Sequence, residues 1–256
     1  MKHIKDDNIE LCFTRQSIGD GWQHIFISNV ILECCIVSLR SREISYIAPL
    51  FVYQDNQNGN DIFEHTRKMP NFSEKFKGFL QTLDFKPNPN KIMAYIYAVL
   101  HSTTYRKKYI EFLKTDFPAI PFTKDKAIFE KYAKLGQKLI DLHLLKNLPK
   151  DTKIKVSNVP QKEFTIDNID YEDNVLVLYT KSKQRISFVG VTPEIYNFEI
   201  GSYKPIEKWL KYRKKDNVSL CLQDLEHLKN MIIAIKNTIN IMQDIEDLKE
   251  AFSDDV

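Results

Sequence analysis

Cationic and aromatic side chains are interleaved at three places in this 256-residue sequence. The first is Tyr105-Arg106-Lys107-Lys108-Tyr109 and the second is Lys181-Ser182-Lys183-Gln184-Arg185. The third runs from Lys204 through Lys208, Trp209, Lys211, Arg213, Lys214 and Lys215, six cations against the single anion Glu207. Lys and Arg neutralise phosphates, while Arg, Gln and Asn match the donor and acceptor pattern of base edges, so this composition suits contact with duplex nucleic acid. On those grounds Arg106, Lys107, Lys181, Lys183, Lys211, Arg213 and Lys214 are the candidates for phosphate contact. Arg15, Gln16, Arg40, Arg42, Gln184 and Arg185, near expected strand ends and loops, are the candidates for reading bases. The plainer alternative for any one of them is a solvated surface charge, and Tyr105, Tyr203 and Trp209 read as packing anchors.

The chemistry of catalysis is harder to find. Gly19-Asp20-Gly21 lacks the further glycine and following helix of a nucleotide-binding turn, and Asn88-Pro89-Asn90 lacks the second proline and aromatic ring of an adenine methyltransferase loop. No Gly-x-Ser-x-Gly, His-Glu-x-x-His or Gly-x-x-x-x-Gly-Lys-Ser/Thr motif occurs. A metal-dependent nuclease needs carboxylates for the metal and a lysine near the attacking water. Asp84-Phe85-Lys86, Asp151-Thr152-Lys153 and Asp247-Leu248-Lys249 satisfy only the shortest form of that pattern. His101 and His143 are the remaining acid-base candidates, and histidines at the ends of apolar helices are more often structural. The expectation is a chain without catalytic residues, and with neither metal nor cofactor of its own.

The net charge of +3 conceals an uneven distribution: residues 216–256 hold nine Asp or Glu and three Lys or Arg, which leaves +9 on the first 215. A basic body of this kind fits a polyanionic partner. The four cysteines, Cys12, Cys34, Cys35 and Cys221, form no Cys-x-x-Cys pair and no spaced zinc set, which fits a reducing compartment. The opening MKHIKDDNIELCF has no apolar core of a signal peptide, and no apolar run reaches the length of a membrane span, so the expected location is the cytoplasm.

These side chains need elements to hold them. Short apolar bursts from 9 to 53 read as strands separated by turn residues, followed by a polar loop at 54–61. Phe72, Phe76, Phe79, Leu80 and Leu83 fall at helical spacing over 71–83, with Ser73 placed to cap. Further helices are expected at Ile92–Leu100, Tyr105–Leu113 and Lys126–Leu145. Strand patterning returns at 150–200 in IKV, EFTI, VLVLY, ISFVGV and IYNFEI, with turns at Asn168, Asp173-Asn174 and Lys181-Ser182. Helices are expected again at Pro205–Tyr212 and Leu222–Ala251. Such segregation predicts an α+β fold: mixed or antiparallel strands in 9–53 and 150–200 on a helical scaffold at 71–146 and 203–251. The whole chain reads as one domain with subregions 1–149 and 150–256.

Three blocks carry a resemblance: IYAVLHSTTYRKKYIEFLKTDFPAIPF (96–122), FEKYAKLGQKLIDLHLL (129–145) and VTPEIYNFEIGSYKPIEKWLKYRKKDNVSLCLQDLEHLKNMIIAIKNTINIMQDIE (191–246). In that order they resemble the target-recognition regions of type I single-polypeptide and type IIG-like restriction-modification enzymes. The opening LCFTRQS and REISYIAPLFVY fit the same pattern. One departure is Gly201-Ser202-Tyr203, where that family would have Gly-Gly-Tyr, a change in local backbone freedom. The resemblance implies sequence-specific binding of double-stranded DNA that delivers an adenine to an N6-adenine methyltransferase. It also implies that S-adenosylmethionine and Mg belong to methyltransferase and nuclease domains upstream or in a separate subunit. A stand-alone DNA-binding regulator and a cryptic nuclease are the competing readings.

Overall fold

The strand ELCFT sends Glu10, Cys12 and Thr14 to one side and Leu11 and Phe13 to the other, as a pleat requires. The computed structural model describes residues 8–18, 21–34, 36, 44–54, 67–201 and 203–248. In it β1 (Glu10–Thr14) is the centre of a three-stranded antiparallel sheet in the order β2 (Ile25–Ser28), β1, β3 (Ser45–Pro49). A second hairpin pairs β4 (Phe51–Gln54) with β5 (Arg67–Pro70). No strand was expected at 67–70, because RKMP has no apolar alternation; pairing with Phe51 and Val52 makes it one.

The chain divides into two compact units, 1–140 with 241–256, and 141–240. In the first, α1 (Glu74–Gln81) starts where Ser73 accepts the Phe76 N–H at 3.2 Å, the expected cap. Pro89 is the first residue of α2 (Pro89–His101), whose N-cap Asn88 accepts the Lys91 N–H at 2.8 Å. The helix expected over 105–113 is two: α3 (Thr103–Lys108) and α4 (Ile110–Thr115), broken at Tyr109. The long α5 (Lys126–His143) supplies Phe129, Tyr132 and Leu139 to a core that also holds Ile92, Tyr95, Tyr97 and Val99 of α2.

Gly136 of α5 fixes how closely these two helices approach, since a Cβ there would lie 1.8 Å from the Ala94 carbonyl oxygen. Backbone cannot swing aside as a flexible side chain does. Gly136→Ala is therefore expected to destabilise the chain by about 1–3 kcal/mol despite the better helix propensity of alanine, read as a lower urea midpoint with unchanged slope.

The second unit holds a four-stranded antiparallel sheet in the order β6 (Lys155–Ser157), β9 (Arg185–Val189), β8 (Val175–Thr180), β7 (Ile166–Glu172). Asp173 and Asn174, at φ +49° and +62°, make the two-residue β7–β8 turn that favours such residues. Asn168, expected in a turn, lies within β7 at a register shift that follows Ile166. IYNFEI, expected as a strand, begins in the short α6 (Pro193–Tyr196), where the fixed φ of Pro193 suits a first helical position. Leu176, Leu178, Ile186 and Phe188 of the sheet pack with Ile206 and Leu210 of α7 (Pro205–Lys215) and Leu225, Leu228 and Ile232 of α8 (Leu222–Asp247). The α+β fold is as the sequence leads one to expect, and every strand pair among the described residues is antiparallel.

Candidate nucleic-acid interface

Two of the three basic stretches come together in the second unit. The β8–β9 loop closes as Thr180 N–H donates to Gln184 O (2.9 Å), Lys183 N–H to Thr180 O (2.8 Å) and Gln184 N–H to Thr180 Oγ1 (3.0 Å). Lys183 takes the left-handed conformation, φ +64°, that this tight loop requires of one residue. At the other side α7 ends in a Schellman arrangement: Asn217 sits at φ +50° and Val218 N–H reaches back to Arg213 O at 3.0 Å. Lys181 Nζ then donates to Asn217 Oδ1 at 2.8 Å, and Lys214 Nζ donates to Asn168 Oδ1 at 3.3 Å.

The hairpin loop, the irregular start of β7 and the C-terminal turn of α7 thus form one cationic patch. Arg213, Lys214 and Lys215 occupy the last turn of α7, where the helix dipole favours positive charge. Lys181, Lys183, Gln184, Arg185 and Lys211 are exposed, and Lys214 is half-buried.

Arg213 serves packing more than contact. Its guanidinium lies 3.6 Å from the centre of the Trp209 ring, which in turn stacks on His227, and Nη1 donates to Trp209 O at 3.4 Å. Burial pulls its pKa down from the usual arginine range, against the opposing effect of Asp224.

In the first unit Arg106 has a comparable internal place. Nε donates to Leu100 O at 2.7 Å and the guanidinium lies 5.9 Å from the Trp22 ring centre. Burial lowers its pKa to about 10, against the attraction of Tyr97 and Glu246. Its neighbour Lys107 is exposed. Tyr105 is a packing anchor, 1% exposed, with its hydroxyl donating to Ala119 O at 2.8 Å. Arg15 and Gln16 are exposed just after β1, and Arg15 Nε donates to Asp116 Oδ1 at 3.1 Å. Arg40 and Arg42 lie outside the described residues.

The Ser102-Thr103-Thr104 run is anchored from far along the chain. Glu246 Oε1 accepts from Ser102 Oγ (3.0 Å) and Thr103 N–H (2.6 Å), and its carboxylate also takes the Thr104 N–H and hydroxyl. Burial raises its pKa, but the hydrogen bonds from Thr104, Ser102 and Thr103 prevail and hold the carboxyl below its ordinary range. Spacing alone could not join residues 142–144 apart. Asn217, Asp116 and Glu246 carry no role in the sequence reading, and Asn168 enters it only as a turn residue. Only Asn217, an asparagine just past a basic helix, carried a readable signal.

Three of the groups considered for catalysis, His101, His143 and Asp151, have structural partners. His101 Nδ1 lies 2.8 Å from Tyr97 O, and His143 Nε2 lies 2.9 Å from the Thr238 hydroxyl, which itself donates to Ala234 O. Asp151 accepts the N–H groups of Lys153 and Ile154 and pairs with Lys236. Among the described residues no three of His, Cys, Asp and Glu form a metal-binding group, and no helix is long and apolar enough to cross a membrane. An apolar cavity of about 650 Å³ in the first unit, walled by Leu11, Phe72, Phe76, Ile92 and Phe122 among others, has no acid, histidine or cysteine in its lining.

Basic side chains are thus gathered on a hairpin loop and at the C-terminal end of a helix in an α+β scaffold. The chain matches the Type ISP C-terminal specificity domain family over residues 1–244 and belongs to it. No curated protein matches it. Among solved structures it is similar to the ATP-dependent Type ISP restriction-modification enzyme LlaBIII bound to DNA, at 20% identity and TM-score 0.70, covering 94% of this chain and 16% of that one. It is also similar to a nuclease-deletion mutant of the Type ISP enzyme LlaGI in complex with a DNA substrate mimic, at 20% identity and TM-score 0.66, covering 94% and 21%. The DrdV–DNA complex matches at 16% identity and TM-score 0.69, covering 98% and 25%. The chain spans a quarter or less of the length of these enzymes.

Proposed function

We propose that this chain is the target-recognition module of a restriction-modification enzyme: it binds double-stranded DNA at a specific sequence and so presents an adenine to an N6-adenine methyltransferase. Membership of the specificity-domain family over nearly the whole chain carries this reading. The gathering of Lys181, Lys183, Gln184, Arg185 and Lys214 around one loop supports it, since phosphate-neutralising and base-reading side chains are placed side by side. S-adenosylmethionine, Mg and the methyl-transfer and cleavage chemistry belong in this reading to domains outside these residues. The location is the cytoplasm, where cellular DNA is met.

Selection of bound sites from random duplexes, with the chain joined to its methyltransferase, is expected to enrich one short motif. The 256-residue chain alone, given S-adenosylmethionine and Mg, is expected to transfer no labelled methyl group and to cut nothing. A wild-type selection without any enriched motif overturns the reading.

A further inference from the structure

Arg15 is held differently from the other candidate cations. Asp116 is the residue that ends α4, and its Oδ1 accepts both the Phe117 N–H at 2.9 Å and Arg15 Nε at 3.1 Å. The Arg15 guanidinium stands 5.6 Å from the centre of the Phe117 ring. That ring is itself set edge-on against Phe13 at 5.8 Å and Tyr46 at 4.9 Å. The group is nevertheless open to solvent: the side chains of Arg15 and Asp116 are 54% and 64% exposed. Phe117 and Tyr46, at 43% and 42%, are among the large apolar residues left uncovered.

We infer that Asp116 and Phe117 position Arg15 to read a guanine by its O6/N7 edge. Arg15 is the base-contacting residue and Asp116 a positioning residue. This rests on the DNA-recognition reading and narrows it to a base and a chemistry.

Three features favour a guanine over a phosphate. With Nε committed to Asp116, the two Nη groups remain as a parallel pair of donors, the geometry that matches two neutral acceptors on one base edge. A phosphate at the same place would meet the uncompensated half of the Asp116 carboxylate, whereas guanine brings no charge. The aromatic contact and the Nε bond together restrict the rotamers of a side chain that otherwise loses much entropy on binding, so less is lost when it docks. Lys181 and Lys214, by contrast, are held by neutral amide oxygens and suit a phosphate.

The test is the site selection applied to the chain joined to its methyltransferase, with four variants. Wild type is expected to enrich a motif containing a G·C pair whose preference falls roughly 10–100-fold in Arg15→Ala and in Arg15→Lys, which lacks the paired donors. Asp116→Ala is expected to weaken the same position and no other, while binding to unrelated duplex is unchanged or stronger because an anion has gone. Asp116→Asn, which keeps the acceptor, is expected to recover part of the loss. Melting temperatures should stay together, since an exposed pair contributes little to stability. If Arg15→Ala leaves every position of an enriched motif unchanged, the assignment is overturned while DNA recognition stands. If Asp116→Ala changes all positions alike, or only the melting temperature, the positioning role is overturned. A wild type that enriches nothing overturns the reading beneath both.

Discussion

Glu246→Ala is expected to lower the stability of the chain by about 2–3 kcal/mol, because hydrogen bonds to a charged acceptor each contribute about 1.5–3 kcal/mol and water can replace only some of them. In a chain of this size that corresponds to a fall of roughly 5–10 °C in the melting midpoint, followed by circular dichroism. The carboxylate takes the first free N–H groups of α3 at the positive end of that helix, together with the Ser102 and Thr104 hydroxyls. Ser102 at the same time accepts the Tyr105 N–H at 3.1 Å. Removing Glu246 therefore loosens the helix that carries Arg106 and Lys107.

The same contact predicts an acid dependence. The pKa of Glu246 in the folded chain lies below the ordinary 4.5, so its contribution is fully present above about pH 5 and is lost as the pH falls through the folded value. Glu246→Gln keeps an acceptor oxygen but cannot titrate. Its midpoint should lie below wild type at pH 7, and the gap should narrow steadily as the pH is taken from about 5 to 3. A gap independent of pH would mean that the charge of Glu246 has no part in holding Ser102, Thr103 and Thr104.

Helices α1, α2, α5, α7 and α8 were legible because each carries apolar residues at helical spacing, and α1 carries its own start signal in Ser73. The break at Tyr109 was not. Tyr105, Arg106, Lys107 and Lys108 all suit a helix, and no local signal marks a stop; the interruption accompanies tertiary bonds from Tyr105 to Ala119 and from Arg106 to Leu100. Likewise β5 exists through its partner β4, and Asn168 was misread because a polar residue at a bulge resembles a turn. The basic stretches were visible as composition, but composition does not say which cations face outward. Arg106 and Arg213 look the same in sequence as Lys107 and Lys214. Their guanidinium groups lie against Trp22 and Trp209 because the folded chain brings an indole to each. Local resemblance to a DNA-recognition family pointed correctly to the family, while the partners Asp116, Glu246 and Asn168 depended on folding.

Replacing both Lys181 and Lys214 by alanine is expected to reduce the slope of log binding constant against log salt by about two, since each phosphate neutralised releases roughly 0.9 of a counterion. Between about 50 and 200 mM salt, wild-type affinity should then fall roughly 10-fold more than that of the double variant, for the enriched motif and for unrelated duplex alike. Charge placement motivates the expectation. Both ammonium groups are held by asparagine oxygens, and neither is paired with a carboxylate among the described residues, so their full charge is available to a phosphate. The bases preferred at each position should not change, because a contact to phosphate fixes where a duplex lies and carries no sequence information. Arg106→Lys is the contrast: with Nε turned inward onto Leu100, its replacement should cost stability and leave the salt slope as it is. The measurement is the dissociation constant of the methyltransferase-joined chain at several salt concentrations, on a duplex carrying the enriched motif and on one without it. An unchanged slope in the double variant would remove Lys181 and Lys214 from the phosphate contacts. A slope change confined to the motif-bearing duplex would instead make them part of base recognition.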